Sequence, residues 1–180
     1  MTVPDNIKTL TLVEDFISQD EERALISAIV ANIPTGTARR RTGSRNIVQR
    51  WGSAVPYVND VLSDVIPDHF QFLLDRLVQH NYVPQRPDSI TMNQYLALQA
   101  ILPHIDSKEG GSVITVLSLG TPADMVFRRA MKQFQVTLPP RSLVQMRDEI
   151  RYNWTHEILP VVAMRYSLVF RCGAECAVTK

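Results

Sequence analysis

Arg165-Tyr-Ser-Leu-Val-Phe-Arg171 decides how the second half of this 180-residue chain is read. Arg165, Ser167 and Arg171 fall on one parity, and Tyr166, Leu168 and Phe170 on the other. A period of two marks a β-strand with two different faces. Two arginines on the inner face of such a strand are expensive unless something pairs them. A small dicarboxylate would pair both, because the guanidinium fork matches a carboxylate bidentately. The same arginines could also face solvent on an edge strand, so this segment alone does not choose between a ligand and water.

Strand texture extends upstream from this segment to Ser89. Short β-like runs are expected at Ser89–Leu96, Val113–Leu119, Met125–Phe127, Phe134–Leu138, Leu143–Met146, Tyr152–His156 and Met164–Arg171. Turn signals at Gly110-Gly111, Thr121-Pro-Ala-Asp124 and Pro139-Pro140 separate them. Many short strands at this spacing argue for a sandwich or barrel. Before Ser89 the periodicity is helical. Ser18-Gln-Asp-Glu21 reads as a capping box, and Ala24, Leu25, Ala28 and Ile29 predict a helix that stops before Pro34. Phe70, Leu73, Leu74 and Leu77 form one apolar stripe on a second helix, from about Asp68 to Asn81 and Pro84. The expected class is α+β but mainly β: a jelly-roll, or double-stranded β-helix, with N-terminal helices packed on it. One domain is expected over residues 1–180.

Composition narrows the function. Hydrophobic residues make up 45% and charged residues 21%, ordinary for a soluble globular protein. The net charge is +1, so any nucleic-acid binding must rest on a local patch. No signal peptide is read at Met1–Lys8, and no apolar run is long enough for a transmembrane helix. A cytoplasmic monomer with no membrane partner is expected, or a nuclear one in a eukaryote. Cys172 and Cys176 read as reduced thiols.

His104-Ile-Asp106 carries the next signal. Residues two apart on an extended segment share a face, so His104 and Asp106 project together and Ile105 points away into the core. Pro103 stiffens the approach. His156, closing a later strand, can complete a facial triad. Two neutral imidazoles and one carboxylate suit iron(II), with vacant positions for an oxygenase. By itself such a set arises easily by chance in a chain with four histidines. Asn93 and Tyr95 form another same-face pair, offering an amide and a phenol to the dicarboxylate that Arg165, Ser167 and Arg171 would hold. Metal set and arginine set together read as a mononuclear iron oxygenase that uses 2-oxoglutarate.

The wording of these segments is also specific. Met92-Asn-Gln-Tyr95, Pro103-His-Ile-Asp106, Leu117-Ser-Leu-Gly120, Met125-Val-Phe127, Pro140-Arg-Ser-Leu143, Arg151-Tyr-Asn-Trp-Thr-His156 and Arg165–Arg171 together resemble the AlkB family of iron(II)- and 2-oxoglutarate-dependent dioxygenases. Ile90–Tyr95 and Arg151–His156 look most like its tRNA-hydroxylating branch. The resemblance implies a catalytic core over about 88–172, with helices and a nucleotide-recognition lid over about 1–87. It implies that His104, Asp106 and His156 bind Fe(II). Arg165, Tyr95 and Ser167 would hold the distal carboxylate of 2-oxoglutarate, and Arg171 and Asn93 would approach the carboxylate beside the keto group. With O2, the reaction would demethylate or hydroxylate a nucleobase in DNA or RNA and release succinate and CO2.

Some positions depart from that pattern. Leu96-Ala-Leu-Gln-Ala100 stands where the family usually has a Pro-Gly turn, Glu157 where a glycine often follows the second histidine, and Arg147-Asp-Glu-Ile150 where a small turn precedes the Arg-Tyr motif. Lys108 occupies the position of a base-reading acidic residue in the DNA-repair member. Arg39, Arg40, Arg41, Arg45, Arg50 and Trp51 lie where the lid would lie. Five arginines and a tryptophan within thirteen residues could clamp phosphates and stack a base of a single-stranded or flipped nucleic acid. The bland alternative is a solvated basic loop with Trp51 in the core. A protein side chain or small molecule as substrate, or a silent binding module, are the competing functions.

Overall fold

A computed structural model describes residues 8–32, 39–40, 47–53, 63 and 65–173. In chain order it contains β1 (Leu10–Val13), α1 (Gln19–Asn32), β2 (Arg39–Arg40), β3 (Ile47–Gly52), α2 (Asp68–Gln79), β4 (Ser89–Tyr95), β5 (Ile101–His104), β6 (Val113–Gly120), β7 (Ala123–Arg129), β8 (Lys132–Leu138), β9 (Leu143–Arg147), α3 (Asp148–Asn153), β10 (Thr155–Ile158) and β11 (Arg165–Arg171). All strand pairs are antiparallel. One sheet runs β1-β9-β6-β11-β4-β3-β2 and the other β5-β10-β7-β8.

Strand parity sorts the core into two layers. Tyr166, Leu168 and Phe170 of β11 face the helices, where Ile90, Met92, Leu117 and Leu119 join Leu25, Ile29, Phe70, Leu73, Leu74 and Leu77. Val169, on the other parity, joins Ile114, Val116, Val144 and Met146, and these meet Met125, Phe127, Val136, Leu138 and Ile158 of the small sheet. The result is the jelly-roll with helices packed on its larger sheet. Within the described residues no helix is long and apolar enough to cross a membrane.

The capping box forms as expected: the Ser18 N–H donates to Glu21 Oε2 at 2.8 Å, and the Glu21 N–H donates to Ser18 Oγ at 3.2 Å. The buried stripe of α1 is Glu22, Leu25 and Ile29, whereas Ala24 is exposed and Ala28 half-buried. Glu22 is tolerated there because Oε1 accepts the Gly120 N–H at 2.8 Å and Oε2 faces Arg141 at 3.4 Å.

The sequence reading needs other corrections. Tyr152 belongs to α3 and not to a strand, so the strand bearing His156 begins at Thr155. Asp148 and Glu149 in the first turn of α3 favour a helix start there. Ile105 is 43% exposed, because the chain leaves β5 after His104 instead of continuing its pleat. The basic segment, a loop or an irregular hairpin by its sequence, does pair β2 with β3 antiparallel, with Arg39 opposite Val48 and Arg40 opposite Ile47.

Candidate metal and co-substrate site

Register places the candidate ligands. His104 at the end of β5 lies opposite His156 in β10, and His156 lies opposite Phe127 in β7. The two imidazole centroids are 4.4 Å apart. Asp106 Oδ2 lies 3.5 Å from His156 Nε2. One donor atom from each of the three residues falls within 4.8 Å of the others. Cis ligands on a six-coordinate ion at roughly 2.1 Å lie about 3 Å apart, so a small inward adjustment would close the set on a metal. His104 Nδ1 donates to the Leu102 carbonyl at 2.9 Å. That bond fixes the tautomer whose Nε2 lone pair is available to a metal.

The charge state suits a cation. Burial pushes the Asp106 carboxyl up, but Arg171 and the two imidazoles outweigh it and hold it well below the usual carboxylate range. Burial holds His156 down to about 4, against the opposing pull of Asp106. At neutral pH the site therefore presents a carboxylate and a neutral imidazole. A consequence for the metal-free protein follows. The unfolded chain protonates His156 as pH falls through its ordinary 6.5, whereas the folded chain resists until about 4. The unfolded state thus binds more protons over that interval, and stability falls with falling pH. Thermal unfolding midpoints measured across the interval should decline; a flat profile contradicts the assignment of a neutral buried imidazole.

Beside the triad, β11 lies between β4 and β6. Arg165 is opposite Tyr95 and Gly120, and Ser167 is opposite Asn93 and Ser118. Asn93 Nδ2 donates to Ser167 Oγ at 3.2 Å. Arg165 is 0% exposed. Its Nη2 donates to Ser118 Oγ at 2.9 Å, and its guanidinium stands over the Tyr95 ring at 5.0 Å from the centroid. Among the described residues its Nε and Nη1 have no hydrogen-bond partner. Burial lowers its pKa from the ordinary arginine value. A buried guanidinium with two orphaned donors is costly in the protein alone and is complementary to a carboxylate. Arg171 behaves differently: it donates to Asp106 Oδ1 at 2.7 Å and to Thr91 Oγ1 at 2.9 Å. It fastens a candidate metal ligand, a role that parity did not reveal.

One pocket is lined by His104, Asp106, His156, Asn93, Tyr95, Arg165, Ser167 and Arg171, so every metal and co-substrate residue expected from the sequence converges there. Arg50 and Thr91 join its polar wall, and Ile101, Val116, Met125, Leu138, Ile158 and Val169 its apolar wall. Thr91 was legible as the next same-face residue before Asn93 and Tyr95. Ser118, the inward-facing hydroxyl in an apolar run, carried a similar signal. Of the lid residues whose side chains are described, Arg50 lines the pocket and Trp51 does not. Trp51 is 7% exposed and packs on Phe70 at 5.3 Å between centroids, inside the helix-facing core. It faces opposite to Arg50 on β3 and is not a stacking platform. Lys108 sits exposed in a 3-10 turn, off the extended line of His104 and Asp106. Arg41 and Arg45 lie outside the described residues, and Arg39 and Arg40 form β2, paired with Val48 and Ile47. Cys176 also lies outside them, while Cys172 is buried, with its thiol 3.4 Å from the Gln85 carbonyl.

Leu98, in the turn that replaces Pro-Gly, adopts φ +66°, and Asp148, the first residue of α3, adopts φ +48°. Glu157 pairs with Arg128.

Comparisons agree with this geometry. Residues 9–171 match the model of the 2OG-Fe(II) oxygenase superfamily. The chain is 33% identical over 159 residues to the frog (Xenopus tropicalis) tRNA (carboxymethyluridine(34)-5-O)-methyltransferase alkbh8, covering 84% of this chain and 25% of that protein. It is 28% identical to the Arabidopsis thaliana alkylated DNA repair protein ALKBH8 homolog, over 85% of this chain and 51% of that one. A DNA N6-methyl adenine demethylase of Caenorhabditis elegans is 26% identical, over 94% and 61%. This chain thus spans between a quarter and about three-fifths of these relatives. The solved structure of OsALKBH1 superposes with a TM-score of 0.69 at 16% identity, covering 91% of this chain and 97% of that one.

Proposed function

We propose, from the premise that this chain belongs to the 2OG-Fe(II) oxygenase superfamily and is homologous to AlkB proteins, that it oxidises a C–H bond on a nucleobase of DNA or RNA. In this reading residues 1–180 act as one catalytic domain. The iron ligands are His104, Asp106 and His156. Arg165 takes the distal carboxylate of 2-oxoglutarate, with Tyr95 beneath the guanidinium and Ser118 orienting it. Asn93 and Ser167 line the path to the metal. The observation that carries the reading is the buried Arg165, whose Nε and Nη1 lack partners in the pocket that also holds the triad.

Bound Fe(II) supplies, with O2 and 2-oxoglutarate, the oxidation of a substrate C–H bond, with succinate and CO2 as co-products. The chain's own residues prepare that chemistry. Arg171 keeps Asp106 ionised and aimed. Burial keeps His156 neutral and able to donate a lone pair at neutral pH. The wall of Val116, Met125, Leu138 and Val169 excludes water, which strengthens each charge interaction inside. Oxidation of an N-methyl carbon gives a hemiaminal that loses formaldehyde, whereas oxidation at a carbon without that exit leaves an alcohol. The frog relative's identity, 33%, favours a tRNA base.

Incubation of purified protein with Fe(II), ascorbate and 2-oxoglutarate tests the substrate class, followed by mass spectrometry of methylated DNA, methylated RNA and total tRNA. The expected result is loss of a methyl group or gain of one oxygen on a base. Unchanged nucleic acids alongside uncoupled succinate formation would redirect the reading to a protein side chain or small molecule.

A further inference from the structure

The triad contains two ligands on adjacent paired strands and one, Asp106, on a loop that has already left the sheet. A loop ligand needs something to fix it. Arg151 of α3 is 2% exposed and five residues before His156. Its guanidinium spends its donors on the main chain of the Asp106 loop: Nη1 to the Asp106 carbonyl at 2.8 Å, Nη2 to the Ser107 carbonyl, and Nε to the Gly111 carbonyl at 3.3 Å. The other side of the loop is equally confined. A Cβ at Gly110 would lie 2.9 Å from Arg171 Cδ, and one at Gly111, where φ is +90°, would lie 2.2 Å from the Cys172 carbonyl oxygen. Only glycines let the loop lie this close to the end of β11.

We infer that Arg151 is a positioning residue for the metal: it ties the segment that carries His156 to the loop that carries Asp106, and so sets the separation of the two ligands. Arg171 orients the Asp106 carboxylate, and Arg151 locates the backbone from which that carboxylate hangs. Lysine cannot reproduce this, because a point-like ammonium cannot reach three carbonyls in one plane. The inference rests on the assignment of His104, Asp106 and His156 as metal ligands, and the experiment separates the two.

The test is titration of the full chain with Mn(II), for wild type, Arg151→Lys and Arg151→Gln, together with thermal unfolding and hydrogen exchange of residues 106–111 in the metal-free proteins. The expected result is Mn(II) affinity lower by roughly 10- to 100-fold in both variants, in line with loss of a group that supports a metal ligand. Metal-free unfolding midpoints should fall modestly, by what the lost carbonyl bonds cost, and exchange should rise selectively in the 106–111 loop. Wild-type protein that fails to bind Mn(II) would overturn the ligand assignment itself. Wild-type binding with equal affinity in the variants would overturn only the role of Arg151. Failure of both variants to fold, or a global fall in stability with unchanged affinity, would assign Arg151 to the general fold and overturn the inference as well.

Discussion

Replacing His104 with alanine should abolish metal binding and turnover while leaving the fold intact, whereas Asp106→Ala should abolish both and also destabilise the protein. The difference lies in what each side chain leaves behind. His104 is half-buried at the end of the four-residue strand β5, and its ring donates to the local Leu102 carbonyl. Asp106 is 6% exposed and accepts from Arg171, itself buried. Removing that carboxylate leaves the guanidinium facing two imidazoles in a desolvated site, and breaking a buried pair in this way typically costs about 3–5 kcal/mol. Asp106→Asn, which keeps an acceptor for Arg171 but drops the charge, should fall between the two in stability and still bind metal poorly. Metal titration and thermal unfolding of the metal-free variants check this. A His104→Ala protein with full succinate production would remove His104 from the site.

Arg165→Met should raise the 2-oxoglutarate requirement by ~10²- to 10³-fold, the equivalent of about 3–4 kcal/mol for a buried charge pair that loses one partner. The same substitution should leave the ligand-free protein as stable as wild type, or more stable. In the absence of a dicarboxylate Arg165 is a fully buried cation with Nε and Nη1 unpartnered, so methionine removes a desolvation penalty and fills much of the volume. A structural arginine would show the reverse, a stability loss with little effect on co-substrate use. Unfolding midpoints without ligand and the concentration dependence on 2-oxoglutarate measure the two effects independently.

The opposite signs in these variants bear on how much of the site was legible in the sequence. Parity in Arg165–Arg171 and in Asn93–Tyr95 placed five polar side chains on inward faces, and the structure brings all five to one pocket. Parity also separated the two apolar layers. What it could not supply was the environment on each side. Trp51 alternates with Arg50 in β3, but only the pairing of β3 with β4, with Trp51 opposite Ile90, shows which of them meets the helices. Ile105 follows the alternation in sequence and fails it in space, because β5 ends at His104. Arg151 stands just before the segment read as strand; its burial depends on carbonyls some forty residues away, which no local period encodes. The strands β1 and β5 escaped notice because short edge segments take their form from the partner strand more than from their own residues. The capping box and the stripe of α2 were legible because every contact they need is local or on one helix face.

The central claim is that the pocket built by these residues couples iron and 2-oxoglutarate. Release of labelled CO2 from C1 of 2-oxoglutarate tests it most directly, compared across wild type, Arg165→Met and His104→Ala over a range of co-substrate concentrations. The account predicts Fe(II)-dependent release by wild type, release by Arg165→Met only at ~10²- to 10³-fold higher 2-oxoglutarate, and none by His104→Ala at any concentration. Equal release by all three proteins, or release by wild type that is indifferent to Fe(II), would contradict it.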